Sequence, residues 1–271
     1  SNTQIAPKRD LLSNVKTFIQ VIIVILVQMM CIFFAHVIIA NRFKRPYFVL
    51  HVIVNAINLY ICTSGAVEGL MNPQSSVIND KSRGPESQTY IALIFALHFY
   101  HPIFFKTGRM DWIHHTPVYI LCILMLSVPS GTSCSSQSHS QHTHTHTRQT
   151  GTIFKLQSSI LTGLPGGLEY VCLVLEGQKM MTRATVKHYS SMINTWFRLP
   201  MGYASGLIAF VGVYHQYTLA STYQCVIFIL MGIHAMWNSP FFGKNAIEAN
   251  VVDIVNRFDL EGSSSKDKKK P

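Results

Sequence analysis

The chain is long enough for one or two domains, and its composition excludes an ordinary soluble protein. Of its 271 residues, 48% are hydrophobic and only 13% are charged, whereas soluble domains carry about a quarter charged residues. The formal net charge of +10 does not indicate a nucleic-acid partner, because the basic residues form short clusters between apolar runs. The composition therefore predicts an integral membrane protein whose partners are membrane lipids, with homo-oligomerisation left open.

Seven apolar runs follow one another along the chain, with lengths near the ~20 residues that a bilayer-spanning helix needs. They predict an all-α fold, a polytopic membrane helix bundle of about seven transmembrane helices, or six if the short fourth run does not cross. The first run is the most apolar, and the basic NRFKR after it argues against a cleaved signal peptide. The predicted spans are Thr17–Ala40, Tyr47–Met71, Thr89–Phe105, His115–Pro129, Ile153–Leu175, Tyr189–His215 and Thr222–Pro240.

The bundle occupies residues 17–242, between an N-terminal tail, 1–16, and a C-terminal tail, 243–271. Lys and Arg are more frequent on the side that includes the C-terminal tail, so the positive-inside rule places the C-terminus in the cytosol. Lys268 and Lys269 stand fourth and third from the last residue. This dilysine pattern predicts retrieval to the endoplasmic reticulum. A solvated basic tail attracted to anionic lipid is the alternative.

A polar insert, residues 131–152, interrupts the apolar pattern between the fourth and fifth runs. Its sequence, GTSCSSQSHSQHTHTHTRQTGT, alternates His and Thr, as some metal-binding tracts do. A translated dinucleotide repeat, from a retained intron or a microsatellite, produces the same alternation. We therefore predict a disordered, low-complexity segment with no function and no metal site.

Ionisable residues gather around the third and fourth runs, where a charge costs a few kcal/mol or more. His98 and His101 are three residues apart, and Asp111 and His114 repeat that spacing, with His115 adjacent. On a helix such pairs share a face, so Asp111 can orient His114 as a base toward a hydroxyl, amine or thiol. We predict that His98 and His101 bind substrate and that Asp111, His114 and His115 are catalytic. The alternative, which suits the first pair better, is interfacial histidines at a short loop capped by the acid.

Two opposite charges lie within later spans. Glu169 is deep in the fifth span, with Glu176 seven residues on, and Arg198 is in the sixth. Because unpaired charges at membrane depth are costly, we predict a Glu169–Arg198 ion pair between the two helices. The pair supplies two further candidates for substrate binding, with a purely structural pair as the alternative.

The order of these motifs resembles the TLC-domain family, multi-span proteins of the endoplasmic reticulum that include the ceramide synthases. The span LHFYHPIFF leads into DWIHHT, followed by GGLEYVCLVLEG, NTWFRLP and AMWNSPFF. The resemblance covers residues 47–242, and the double histidine with its flanking acid is its most specific motif. By the resemblance, His114 and His115 correspond to the family's histidine pair and Arg198 to the arginine of its aromatic–Arg motif.

The resemblance implies a role in lipid handling or in control of membrane lipid composition in the endoplasmic reticulum. In ceramide synthases paired aspartates lie downstream of the double histidine, whereas this chain has Glu169 and Glu176 there. That departure favours a non-synthase member of the family. Acyl-CoA-dependent lipid acyl transfer is the alternative, with acyl-CoA as a co-substrate and no bound cofactor, so whether the chain is an enzyme stays open.

Two further functions compete with these. A di-iron lipid hydroxylase or desaturase needs roughly eight histidines in HxxxH and HxxHH clusters. The spacing of His98 and His101 does not fit the first box, HxxHH does not occur, and no metal site is expected. A non-catalytic transporter would use Pro and Gly residues to interrupt helices around a substrate path, but no internal repeat relates the two halves of the chain.

Overall fold

The computed structural model describes residues 11–76, 78–79, 86–105, 108–126, 149–150, 152–218 and 220–267. Within these residues the fold is all-helical, as predicted, apart from a two-residue strand pair. The helices are α1 (Leu11–Ala40), α2 (Pro46–Met71), α3 (Glu86–Phe104), α4 (Arg109–Leu126), α5 (Thr152–Gln157), α6 (Leu164–Gly177), α7 (Arg183–Ile193), α8 (Leu199–Gln216) and α9 (Thr222–Asp267).

Two π turns join shorter helices into longer rods. Ser158–Gly163 connects α5 to α6, and Asn194–Arg198 connects α7 to α8. A Leu-Pro pair follows each turn, ending in Pro165 or Pro200. Proline lacks an N–H and its ring clashes with the carbonyl four residues earlier, and a widened turn accommodates both defects. The predicted fifth and sixth spans thus each correspond to one continuous rod.

In the described part of the chain, four helices are long and apolar enough to cross a membrane, which indicates an integral membrane protein. Within the described residues, two further apolar helices are shorter, Thr89–Phe104 and His115–Leu126. The figure of about seven crossing helices therefore stays a prediction. The four long ones are Ile19–Ala40, Pro46–Met71, Thr152–Gly177 and Thr222–Arg257.

The outer surface of the bundle is apolar. Side chains such as Ile38, Tyr60 and Trp196 are 68%, 87% and 71% exposed, and α1 exposes apolar residues along most of its length. Exposed apolar area on this scale marks a surface that meets lipid or another protein. Several polar side chains of the spans, such as His51, Asn58 and Arg198, are instead buried between helices.

The centre of the bundle is α2, which packs against α3, α5 and α6. Its Asn58 is fully buried and donates to the Ser158 carbonyl and to the Thr162 hydroxyl, both at 3.3 Å. These bonds give polar partners to the first π turn where no water would reach it. The helix α1 packs mainly on α3, where the His36 ring lies 2.7 Å from the Tyr100 hydroxyl.

Small residues let α8 and α9 approach closely, as in many membrane helix pairs. A Cβ added at Gly202 would lie 1.7 Å from Ser239 Oγ, and one added at Gly206 would lie 2.4 Å from Met236 Cγ. This contact brings the end of the second π turn against the middle of α9, beside the cavity described below.

Several helices extend beyond the predicted spans, and two of these differences bear on the site. The helix α4 begins at Arg109, six residues before the predicted span His115–Pro129, so Asp111 and His114 lie within the helix rather than just ahead of it. The last helix runs through Pro240 and continues to Asp267, where a tail was predicted. The extension packs on α7 and is tied to it by the Lys187–Asp253 ion pair, 3.0 Å.

The polar insert lies largely outside the described residues. The exceptions are β2 (Gln149–Thr150), antiparallel to β1 (Ile78–Asn79), and Thr152, the buried first residue of α5. The predicted dilysine signal, Lys268 and Lys269, also lies outside the described part of the chain.

Candidate functional site

A cavity of about 280 Å³ lies inside the bundle, between two polar walls. One wall consists of histidines from α2, α3 and α4. The other consists of an ion pair and its hydrogen-bonding partners from α6, α7 and the second π turn. Aromatic side chains of α6 and α9 fill part of the space between them. Such a polar cavity surrounded by apolar helices is where a membrane protein places its functional groups.

The histidine wall is formed by His51, His98, His101 and His115, which are 3%, 5%, 9% and 3% exposed. Ring centroids lie 4.9 Å apart for His98 and His115, 5.2 Å for His101 and His115, and 5.6 Å for His51 and His101. The i, i+3 spacing on α3 turns both of its histidines toward α2 and α4. Four imidazoles therefore form one contiguous group.

Neighbouring groups fix the orientation of this wall. Nδ1 of His98 lies 2.8 Å from the Ile94 carbonyl, so Nδ1 carries the proton and Nε2 is the basic nitrogen. The Tyr119 hydroxyl donates to the His98 carbonyl at 2.6 Å and lies 3.4 Å from Nδ1 of His115. The His51 ring stacks on Tyr170 with centroids 4.2 Å apart. Imidazoles held in this way can accept or pass a proton without first reorganising.

The ion-pair wall contains the predicted bond between the fifth and sixth spans. Arg198 Nη2 lies 2.7 Å from Glu169 Oε2, and Ser190 and Asn194 both donate to Glu169 Oε1. Arg198 Nη1 donates to Asn194 Oδ1 at 2.6 Å, and the guanidinium lies 5.2 Å from the Phe242 ring centroid. The predicted ion pair is confirmed. Because it joins one cation to one anion, the wall is polar and carries no net charge.

Two polar atoms near this wall are buried without a hydrogen-bond partner in the described part of the chain. They are Nε of Arg198, a donor, and Oδ1 of Asn238, an acceptor. Both residues line the cavity. A buried polar group without a partner costs about 1–3 kcal/mol, so the cavity favours a ligand or water that offers both an acceptor and a donor.

The structure brings five of the seven predicted site residues to one cavity, namely His98, His101, His115, Glu169 and Arg198. The sequence favoured an interfacial position for His98 and His101, whereas the structure buries both side chains. The side chains of Asp111 and His114 lie outside the described part of the structure, so the proposed acid–histidine pair stays a prediction.

Several cavity residues were not predicted from the sequence. His51 and Asn55 lie four residues apart on α2, so they share a face, and Asn238 lies on α9. The available signal was a His and an Asn at i, i+4 within an otherwise apolar run. Glu176, in contrast, points to the end of the bundle, where it pairs with Arg45 at 3.2 Å.

Among the described side chains, no group of three or more His, Cys, Asp or Glu is arranged to hold a metal ion. The rings of the four histidines contact one another, at centroid distances of 4.9 to 6.0 Å, and together form one wall of the cavity.

No family model, curated protein or solved structure matches the chain. The resemblance to the TLC-domain family therefore rests on its motifs alone, and the function has to be argued from the cavity.

Proposed function

We propose that the chain is an integral membrane protein of the TLC-domain type that handles a membrane lipid, with the lipid headgroup bound in the cavity. One observation carries the proposal. A histidine wall and an ion-pair wall line one cavity inside a bundle whose outer surface is largely apolar. A ligand that fits both environments has a polar head and apolar chains.

The cavity favours a compact headgroup with hydroxyl, amide or amine functions. Its volume of about 280 Å³ is just below the roughly 300–1,000 Å³ range of small-molecule sites, so it suits a headgroup and is too small for a whole lipid. The ion pair leaves the wall neutral, which removes any need for a charged ligand. The buried Arg198 Nε and Asn238 Oδ1 supply one donor and one acceptor to such a group.

The cellular setting belongs to the same proposal. The distribution of Lys and Arg and the dilysine pattern support a protein of the endoplasmic reticulum with a cytosolic C-terminus. In that orientation the loops before α2 and α4 face the cytosol, so the histidine wall lies toward the cytosolic half of the bundle. A soluble reactant would reach it from that side.

Acyl transfer is the second candidate, and the contact between His98 and His115 favours it. In this reaction an imidazole takes the proton from a lipid hydroxyl or amine as its oxygen or nitrogen attacks the acyl carbonyl carbon of acyl-CoA. The carbon–sulfur bond then breaks, and the coenzyme A thiolate leaves and takes up a proton. His98, with its proton fixed on Nδ1 by the Ile94 carbonyl, presents Nε2 for this role.

The test compares the lipid composition of cells that express the wild type, His98→Ala, His115→Ala or His215→Ala. The last variant is the matched control, because His215 is exposed near the end of α8. We expect the two cavity variants to lose the lipid change that the wild type causes, at equal membrane abundance by immunoblot. Native mass spectrometry of the purified protein should show a bound lipid that both cavity variants lose.

Two outcomes decide between the candidates. Acyl transfer is established if a labelled acyl group passes from acyl-CoA to the co-purified lipid and His115→Ala abolishes this transfer. If the protein binds the lipid without transferring an acyl group, lipid handling without catalysis is supported. If both cavity variants keep the wild-type lipid profile and the bound lipid, the proposed function is refuted.

A further inference from the structure

A second pocket of about 280 Å³ lies beside the cavity, at the end of the bundle. We call it the basic pocket, because Arg45, Arg183 and Lys187 line it against a single carboxylate, Glu176. Arg45, Glu176 and Arg183 lie at helix ends, and Ala246 in the extension of α9 lines one side of the pocket. The pocket therefore lies where a membrane protein meets lipid headgroups and water.

The positive charges of the basic pocket are only partly neutralised. Arg45 pairs with Glu176 at 3.2 Å. Lys187 pairs with Asp253 at 3.0 Å, but Arg257 shares that carboxylate. Within the described residues Arg183 makes no ion pair, and four cationic side chains face two carboxylates.

The placement of the cations makes this excess unusual. Arg183 is the first residue of α7 and Lys187 lies one turn later, and α7 contains no acidic residue. The N-terminus of a helix carries a positive partial charge, so cations there repel it and anions are stabilised. Packing the three lining cations around one pocket adds to the repulsion, and an anionic ligand would relieve it.

The basic pocket and the cavity share part of their lining. Leu173, Val186 and Ser190 belong to both, so these side chains form the partition between the two spaces. Ser190 also donates to Glu169 in the ion-pair wall. A molecule could therefore place an anionic group in the basic pocket and a neutral polar group in the cavity.

We infer that the basic pocket binds a phosphate group, carried either by a lipid headgroup or by a soluble molecule. Guanidinium groups donate paired hydrogen bonds that match the oxygens of phosphate. Phosphate offers more acceptor oxygens than a carboxylate does, and two arginines with one lysine can use them. This inference goes beyond the proposed function, and it can hold whichever lipid enters the cavity.

The test measures binding to the protein in dodecyl maltoside, a detergent without phosphate. The lipid probe is phosphatidic acid, with diacylglycerol as its matched counterpart that lacks phosphate. The soluble probe is pyrophosphate, with succinate as the carboxylate control. We expect phosphatidic acid or pyrophosphate to bind at least about tenfold more tightly than its control, since one charge-assisted hydrogen bond alone supplies such a factor.

Variants locate the site. Arg183→Gln should weaken phosphate binding about tenfold, and Arg183→Lys, which keeps the charge but not the fork, should weaken it less. Lys244→Gln removes one positive charge from the exposed face of α9 and should leave binding unchanged. His115 lines the cavity but not the basic pocket, so His115→Ala should leave pyrophosphate binding unchanged, which separates this inference from the proposed function.

The outcomes are as follows. Binding of phosphatidic acid without pyrophosphate assigns the phosphate to a lipid, and binding of pyrophosphate assigns it to a soluble molecule. Absence of binding by both probes overturns the inference, as does succinate binding of equal strength or an equal loss in Arg183→Gln and Lys244→Gln.

Discussion

The ion pair between Glu169 and Arg198 should behave as one energetic unit. The perturbation is a double-mutant cycle made of Glu169→Gln, Arg198→Met and the double variant. The Arg198 side chain is 7% exposed and that of Glu169 is 20% exposed. Removing one partner of a buried pair costs about 3–5 kcal/mol, whereas replacing both is often close to neutral.

The structure also predicts which single substitution costs more. Glu169→Gln keeps an amide oxygen that can accept from Arg198, but it leaves a deeply buried guanidinium without a compensating negative charge, so its cost should lie near the upper end of that range. Arg198→Met leaves a carboxylate that keeps the hydrogen bond from Ser190 and some exposure. Its cost should lie near the lower end. The loss in the double variant should therefore be smaller than the sum of the two single losses by at least about 2–3 kcal/mol.

The assay is unfolding in mixed micelles of dodecyl maltoside and dodecyl sulfate, followed by far-UV circular dichroism. The exposed pair Lys244–Glu248, 3.7 Å apart on α9, serves as the control cycle, and it should show no measurable coupling. If the losses at Glu169 and Arg198 add to within about 0.5 kcal/mol, the two side chains do not act as a pair and the reasoning is refuted.

Three further predictions concern packing and topology. Gly202→Ala should destabilise the protein by about 1–3 kcal/mol, because the new Cβ would overlap Ser239. The control is Gly243→Ala, which should not destabilise the protein because the added Cβ meets nothing within 4 Å. Equal shifts of the unfolding temperature in the two variants would contradict the prediction. A glycosylation site placed after Gly262 should stay unmodified, and its glycosylation would reverse the predicted orientation. Deletion of residues 131–148 spares the strand and Thr152 at the end of the insert. The shortened protein should accumulate in membranes to the wild-type level, as measured by immunoblot, and a variant that fails to accumulate would show that the segment is needed.

The sequence by itself determined that the chain is helical and where, to within several residues, most of its apolar helices lie. Long apolar runs form helices in a membrane because every backbone N–H and C=O must be paired within the segment, and this constraint acts locally along the chain. The same local reasoning identified the Glu169–Arg198 pair, since two opposite charges in neighbouring apolar runs have few other partners.

Only the tertiary structure decided what those helices enclose. Hydropathy says that a residue lies in a span, but it does not specify the rotation of the helix about its axis or the identity of its neighbours. The position of His51 beside His98 and His115 depends on that rotation, and so does the cavity. The basic pocket depends in addition on α9 continuing past Pro240 to pack on α7, a long-range contact that outweighs the local tendency of proline to end a helix.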